Sequence, residues 1–514
     1  MAFVRELDSI VAQRRRLKIL ILHQNSDLNQ VRRTSFNHAF FLLKYAPWNE
    51  YELHSFGEPI SPRLRREHFD AILIDTTFLC WRWALPHEKY IERILSDYAF
   101  IAQSNAIKIA LPQDEYDETE RLDDWLAVWR VDYIYSVCYE YRNIFYSKSS
   151  RYAHIIEGLT GFIDDADVAI MKRFARPFAD RTKDVGYRAR DLPPNFGRFS
   201  RLKAQIGEQF LGAAQGRGLQ LDIAVGNTSQ HALVGDDWLR FLVDCRFTLG
   251  CESGSSLLDP RGEIRAACNA YLEKHPDAGF DEVEAECFPN IDMKQIYSAI
   301  SPRVFEAALA GNCQILVPGH YLGLLKPNEH YVPLAADFSN IESVLQELTD
   351  WPAAQRRALE CRHVLLSEAR LTYRGFTADL LQRITARLNA EATTQFISLP
   401  KDTIEITHDL VALVVRTAAV RSKDLEEALA LGTANALPST SRCGIRQTKR
   451  LLLRGFRGAR IVFRATEEEW EAREARVKHY IGHAHTLLVH FSGCLLRLSH
   501  RLRRRLARLL RIVG

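Results

Sequence analysis

At 514 residues the chain is too long for one hydrophobic core and calls for two or three domains. A hydrophobic share of 47% with 26% charged residues is that of an ordinary globular protein, which excludes a disordered or fibrous chain. The net charge of +4 is too small to imply nucleic acid. Ten scattered cysteines without a Cys-x-x-Cys pair argue against a zinc site or disulfide framework, and for reduced thiols in a cytoplasmic protein.

The opening MAFVRELDSIVAQRRR lacks a continuous apolar core and does not read as a signal peptide. No run of 18 apolar residues calls for a membrane-spanning helix. Leu17-Lys18-Ile19-Leu20-Ile21-Leu22-His23 is an apolar run typical of the first strand of a parallel sheet. The spacing of Phe36, Ala39, Phe40 and Leu43 predicts a helix over 31–45. Strands follow over 51–56 and 69–75, a helix over 88–104, and strands over 107–111 and 131–137. This alternation indicates a doubly wound α/β domain. Without Gly-x-Gly-x-x-Gly after its first strand, a dinucleotide is not expected there.

Leu111-Pro112-Gln113-Asp114-Glu115-Tyr116-Asp117 gathers polar groups at a strand's carboxyl end, where α/β sites form. Asp114, Glu115 and His23 are candidates to take a proton, with Asp75 at another strand end. Asp114 and Asp117 equally suit the cap of the helix holding Trp125 and Trp129. The chain crosses to its second domain near 173–183, where Arg176-Pro177 suits a linker.

A strand over 184–190 leads into the loop Asp191–Arg198 and a helix containing Lys203. Another strand covers 219–225, and a helix over 238–245 precedes a strand that runs into Gly250-Cys251-Glu252-Ser253-Gly254-Ser255-Ser256. The N–H groups of such a loop can cradle an anion. The segment 260–294 is an acidic insertion expected to cover the crevice. Then Arg303–Ala310 has helical spacing, Gly311-Asn312 stops the helix, and Cys313–Val317 is a buried strand closed by Pro318-Gly319-His320-Tyr321.

Arg303, Phe305, Glu306, Ala307 and Gly311 match an Arg-x-Phe-Glu-Ala-x-x-x-Gly pattern. It resembles the donor half of GT-B glycosyltransferases, especially the spore-maturation-protein-like and group 1 enzymes. The resemblance covers about 17–388. It implies two doubly wound Rossmann-like domains facing across a cleft: an acceptor-side domain over 1–175 and a nucleotide-sugar domain over 184–388. It further implies that Glu306 holds the nucleotide ribose and that Gly319, His320 and Tyr321 lie near the sugar and diphosphate. Arg190 and Lys203 match the diphosphate cations, with Arg188 and Arg198 as substitutes, while Arg303, Glu252 and Ser253 complete the donor set. A charged leaving group requires such cations or helix N-termini. The residue types also allow plain readings: Glu306 as a surface carboxylate paired with Arg303, and Lys203 as part of a solvated face. In one respect the chain departs from the retaining relatives. Their Glu-x7-Glu pair would place a carboxylate at Ser298, so the stereochemical outcome stays open.

A mainly helical appendage is expected over 400–514. Its final segment, Leu495–Gly514, sets Leu495, Leu498, Leu502, Leu506, Leu509 and Val513 on one face, with Arg497, Arg501, Arg504, Arg505, Arg508 and Arg511 around it. That pattern suits an anionic membrane surface, in preference to a helix docked on the catalytic body or on a partner. No Asp-x-Asp sequence is read as a metal–nucleotide site, so transfer without metal or other cofactor is expected. The leading expectation is a hexosyltransferase-type enzyme using a nucleotide-sugar and a bacterial surface glycan or lipid-linked acceptor, peripheral on the inner face of the cell membrane. The alternative is a non-catalytic GT-B-like scaffold that binds a glycan or partner. Nucleic acid is not expected as a partner, because aromatic and basic residues do not interleave on a strand.

Overall fold

The protein is described by a computed structural model, in which residues 16–24, 32–84, 88–226, 233 and 235–388 are placed. The helical appendage expected over 400–514, with its Arg-lined final segment, lies outside the described residues.

The first lobe is a six-stranded parallel sheet: β1 (Lys18–His23), β2 (Glu50–Ser55), β3 (Ala71–Ile74), β4 (Ile107–Ala110), β5 (Tyr133–Ser136) and β6 (His154–Glu157). Its order is β2-β1-β3-β4-β5-β6. The chain therefore reverses its direction of winding at β1, the switch point beside which ligands of open sheets bind. Strands such as Ala71-Ile72-Leu73-Ile74 are wholly buried because both faces carry helices. β6 is the strand that the periodicity missed. His154-Ile155-Ile156-Glu157 is only partly buried at the sheet edge, so it lacks a continuous apolar run.

The second lobe has β7 (Lys183–Ala189), β8 (Leu221–Val225), β9 (Cys245–Gly250), β12 (Cys313–Leu316) and β13 (Val332–Pro333), all parallel, in the order β13-β12-β9-β7-β8. Here β7 is the switch point. β10 (Ser253–Ser255) and β11 (Tyr297–Ala299) pair antiparallel and bracket the insertion. Its helices, Glu263–Lys274 and Phe280–Cys287, bury Cys268, Phe280, Val283 and Phe288 in a small core of their own.

The insertion does more than cover a crevice. Asp259 forms a β-bridge with Asp117 of the first lobe: its carbonyl accepts from the Glu118 N–H at 2.6 Å, and its N–H donates to Tyr116 at 2.9 Å. Arg265 forms an ion pair with Asp117 beside this bridge. Neither Asp114 nor Asp117 caps the Thr119–Trp129 helix, whose preceding residue Glu118 makes no side-chain cap.

The last described helix, Tyr373–Leu388, follows the second lobe in sequence but completes the first. Phe376 stacks on Phe162 at 4.3 Å, lies 4.9 Å from Phe41 and meets Tyr135 edge-on at 5.0 Å. Tyr135 also donates to Asp379 at 2.8 Å. An apolar stripe at helical spacing needs a partner, and here it lies on the far side of the interlobe boundary. Phe376→Ala is expected to lower unfolding free energy by about 3–5 kcal/mol, measurable as a reduced midpoint in urea unfolding.

Candidate functional site

The helix Pro302–Ala310 opens with proline at its first position, which costs no intrahelical bond, and ends at Gly311 with φ 71°. Buried Arg181 fixes that end by donating to the carbonyls of Ala310 (2.8 Å), Gly311 (3.1 Å) and Cys245 (2.7 Å). The helix thereby holds Glu306 at the boundary between the lobes. Trp238 Nε1–H donates to Glu306 Oε2 at 2.7 Å, and the Thr34 hydroxyl of the first lobe donates to Oε1 at 3.2 Å. Burial pushes the Glu306 pKa up, against the opposing pull of Trp238, Arg303 and Thr34. The carboxylate lines a small cavity with Asn37, Asp167, Pro302 and Tyr373. Gly161 allows the lobes to meet there, because a Cβ would lie 2.8 Å from Thr34 and 3.0 Å from Pro302.

Arg303 is not the ion partner of Glu306. It donates to the Arg188 carbonyl and its guanidinium lies 5.7 Å from the Trp238 ring. Lys203 donates to Ser253 Oγ at 2.8 Å, which brings the helix after β7 against the loop after β9. Burial lowers the Lys203 pKa; Arg303 and Arg32 add to the fall, while Cys251 and Asp114 oppose it. Arg32, at the start of the Arg33–Tyr45 helix, is pushed down to about 10 by partial burial and then by Arg190 and Arg303. Arg32, Arg190, Lys203 and Arg303 therefore share one positive region fed by both lobes. Among the described residues none of the four forms an ion pair with a carboxylate. Arg188 and Arg198, the expected substitutes, are engaged elsewhere. Arg188 pairs with Asp222 at 2.6 Å over the Phe241 ring, and Arg198 pairs with Asp281 and Glu284 of the insertion.

Beyond β9, Glu252 reaches under the loop that follows β12. Its Oε1 accepts from Tyr321 N–H at 2.8 Å and its Oε2 from Ser298 Oγ at 3.0 Å. Gly319 lies directly on this carboxylate, since a Cβ there would be 2.9 Å from Oε2. Gly319 and His320 are exposed at the rim. Tyr321 differs from the expectation. Its side chain is fully buried with the hydroxyl donating to Val317 at 2.6 Å, because left-handed backbone at Tyr321 (φ 42°) and Leu322 (φ 58°) turns the ring inward. Only its backbone meets the site.

On the first lobe the three candidates separate. Asp114 is half-buried in a left-handed conformation, φ 49°, accepts from the Tyr116 hydroxyl at 2.6 Å, and acts electrostatically on Lys203. Glu115, one residue on, points the other way. It is fully buried and accepts from the Ser136 and Tyr146 hydroxyls and from the N–H groups of Val137 (3.0 Å) and Cys138 (3.1 Å). These bonds fix the end of β5. His23 is 5% exposed, edge-on to Phe40 at 4.9 Å, and burial pulls its pKa to about 4, so its imidazole is neutral at pH 7. Asp75 caps a short helix through Thr77 N–H (2.9 Å) and accepts from His38 (2.9 Å).

The sequence Asp165-Ala166-Asp167 spells an Asp-x-Asp, but both carboxylates are spent on arginines: Asp165 on Arg374 and Asp167 on Arg33. Asp123, which with Asp124 forms another acidic pair, is buried and accepts from the N–H groups of Lys148 (2.8 Å) and Ser149 (3.0 Å). Sequence reasoning missed Arg32, Thr34 and Trp238. The one available signal was position, since Arg32 opens the helix that follows the switch-point strand β1.

No family model matches the chain, and no curated protein matches it. Solved structures similar to it include an α-glucosyltransferase in complex with UDP and a 13-mer DNA, 8% identical over 72% of this chain and 99% of that one, with a TM-score of 0.42. A glycosyltransferase from Rickettsia africae is 8% identical over 73% and 100%, with a TM-score of 0.40. An Anabaena protein in complex with UDP-glucose is 11% identical over 73% and 100%, with a TM-score of 0.38. The observed architecture is two doubly wound parallel α/β lobes facing across a cleft. Among the described residues no helix is long and apolar enough to cross a membrane.

His23 and His54, each pulled to about 4 chiefly by burial, yield a pH prediction. The unfolded chain takes up these protons near the ordinary histidine value of 6.5 and the folded one does not. Stability is therefore full above pH 6.5 and falls as pH drops toward 4. His23→Gln should flatten part of that fall, read from urea midpoints at pH 7 and pH 5.

Proposed function

We propose that the protein is a glycosyltransferase that moves a hexosyl group from a nucleotide-sugar to a glycan or glycolipid of a bacterial surface. The observation that carries this reading is the set of cations Arg32, Arg190, Lys203 and Arg303, without carboxylate partners among the described residues, at the cleft between the lobes. Such a concentration of like charge is costly unless an anion of matching charge binds there, and a diphosphate supplies it. As the sugar–phosphate bond breaks, the departing nucleoside diphosphate gains charge, and fixed cations stabilise that state most.

Glu306 supports the nucleoside end of the reading, because a buried carboxylate at the cleft suits vicinal ribose hydroxyls as donors. Trp238 N–H and Thr34 O–H are neutral donors of the same kind, and they mark the positions such hydroxyls would take. Asp114 is assigned the acceptor's proton. It is the half-buried carboxylate on the first lobe whose charge reaches the cation region, whereas Glu115 is spent on four hydrogen bonds and His23 is sealed in the core. Closing the lobes excludes water that would otherwise hydrolyse the donor. Metal-independent transfer is part of the proposal, because four cations already do what a divalent ion does for a diphosphate. The acceptor class rests on sequence alone, through the Arg-lined helix expected over 495–514.

A thermal-shift screen over UDP, GDP, ADP, CDP and TDP should find at least one that raises Tm by several degrees. Glu306→Ala should remove that shift without lowering the Tm of the free protein by more than a few degrees. If none of the diphosphates shifts the wild type, the reading fails. Asp114→Asn should keep the shift and slow transfer by about 10²–10⁴-fold. Activity should survive chelation with EDTA; loss on chelation, restored by Mn²⁺ or Mg²⁺, would refute the metal-free route.

A further inference from the structure

We infer that Glu252 is the residue that recognises the sugar of the donor, through hydrogen bonds from hydroxyls of the transferred ring. The inference rests on the nucleotide-sugar reading and assigns the sugar end of that same site. Glu252 is 8% exposed, and among the described residues no Lys or Arg forms an ion pair with it. Among the described residues its carboxylate is met by two neutral donors, Tyr321 N–H at 2.8 Å and Ser298 O–H at 3.0 Å. Each carboxylate oxygen can accept twice, so both retain a free acceptor direction. A buried carboxylate left so sparsely satisfied is expensive to fold around, and hydroxyl donors complete it.

Position decides which hydroxyls these are. Glu252 is the chain neighbour of Ser253, whose hydroxyl is held by Lys203 of the cation region. A sugar joined to the terminal phosphate there extends within reach of the adjacent carboxylate. The loop residue lying on Glu252 is Gly319, where any side chain would strike the carboxylate. Glu252 is also near enough to the first lobe for its charge to act on a thiol there. The Cys138 thiol is raised well above its ordinary pKa by burial, then by Glu115, and then by Asp114 and Glu252 together. Glu252 and Asp114 thus act on the same thiol, and Asp114 acts on Lys203 as well, so both carboxylates adjoin the cation region. Ser298, eight residues before Glu306, has no charge of its own and spends its hydroxyl on Glu252. A carboxylate is supplied at this place from the end of β9 rather than from β11.

The test is isothermal titration of the full-length protein with paired probes: UDP against UDP-glucose and UDP-N-acetylglucosamine, and GDP against GDP-mannose. Wild type should bind one nucleotide-sugar more tightly than its diphosphate. Glu252→Gln keeps an acceptor for Tyr321 N–H but removes the charge. It should weaken that nucleotide-sugar roughly 10- to 100-fold, as expected for hydrogen bonds to a charged group, while the diphosphate changes less than about threefold. Ser298→Ala leaves the carboxylate in place and should keep both affinities near wild type. Equal weakening of sugar and diphosphate in Glu252→Gln, or no weakening of either, overturns the inference while leaving the nucleotide site standing. If the wild type binds none of these diphosphates, the underlying reading falls, and this assignment with it. Should Glu252→Gln fail to fold, Glu252→Asp, which retracts the carboxylate by one methylene, carries the same comparison.

Discussion

Two neighbouring arginines at the start of one helix set the terms on which the lobes meet. Arg33 reaches across to Asp167 and, at 3.1 Å, to Asp236, and so draws the first lobe onto the helices Asp165–Phe174 and Asp236–Asp244. Arg32, one residue earlier, faces Arg190 and Arg303 and is repelled by them. Attraction and repulsion act across the same boundary, a few ångströms apart. The first is satisfied in the folded protein, whereas the second needs a counter-charge. Under the proposed reading, that counter-charge is the diphosphate of the donor.

The fold turns that electrostatic arrangement into a directional one. Parallel strands place all their carboxyl ends on one edge of a sheet, and each sheet reverses its winding at a single strand, β1 or β7. Asp114 leaves β4, Arg190 follows β7, Glu252 follows β9 and Gly319 follows β12, so the groups of the candidate site come from corresponding edges of two sheets. No one segment contains the site. Its residues are spread over about 290 positions of chain and are gathered by sheet geometry rather than by a contiguous motif.

That spread explains how much could be read from the sequence. Buried strands such as Ala71–Ile74 and Cys313–Leu316 announce themselves as short apolar runs, and Gly311 announces a helix stop. Glu306, Arg303, Lys203 and Ser253 could be singled out as candidates because a patterned helix or a strand-end loop carries them. Arg32 and Trp238 were not, since nothing local separates an arginine facing a cleft from one facing solvent. Asp114 and Glu115 show the limit sharply. They are adjacent carboxylates with different partners: Asp114, in a left-handed conformation, accepts from the Tyr116 hydroxyl, while Glu115 is consumed at the end of β5. Tyr321 was misjudged for the same reason, because two left-handed residues reverse the direction a side chain would otherwise take.

Among the described residues, two isolated backbone bridges tie distant stretches of the chain together at and near the lobe boundary. One is the bridge of Ile163 to Thr372, beside the return of the chain to the first lobe; the other is the bridge of Asp117 to Asp259 at the foot of the insertion. Each bridge fixes the register of two stretches far apart in the sequence, so neither stretch can slide along the other without breaking a backbone hydrogen bond.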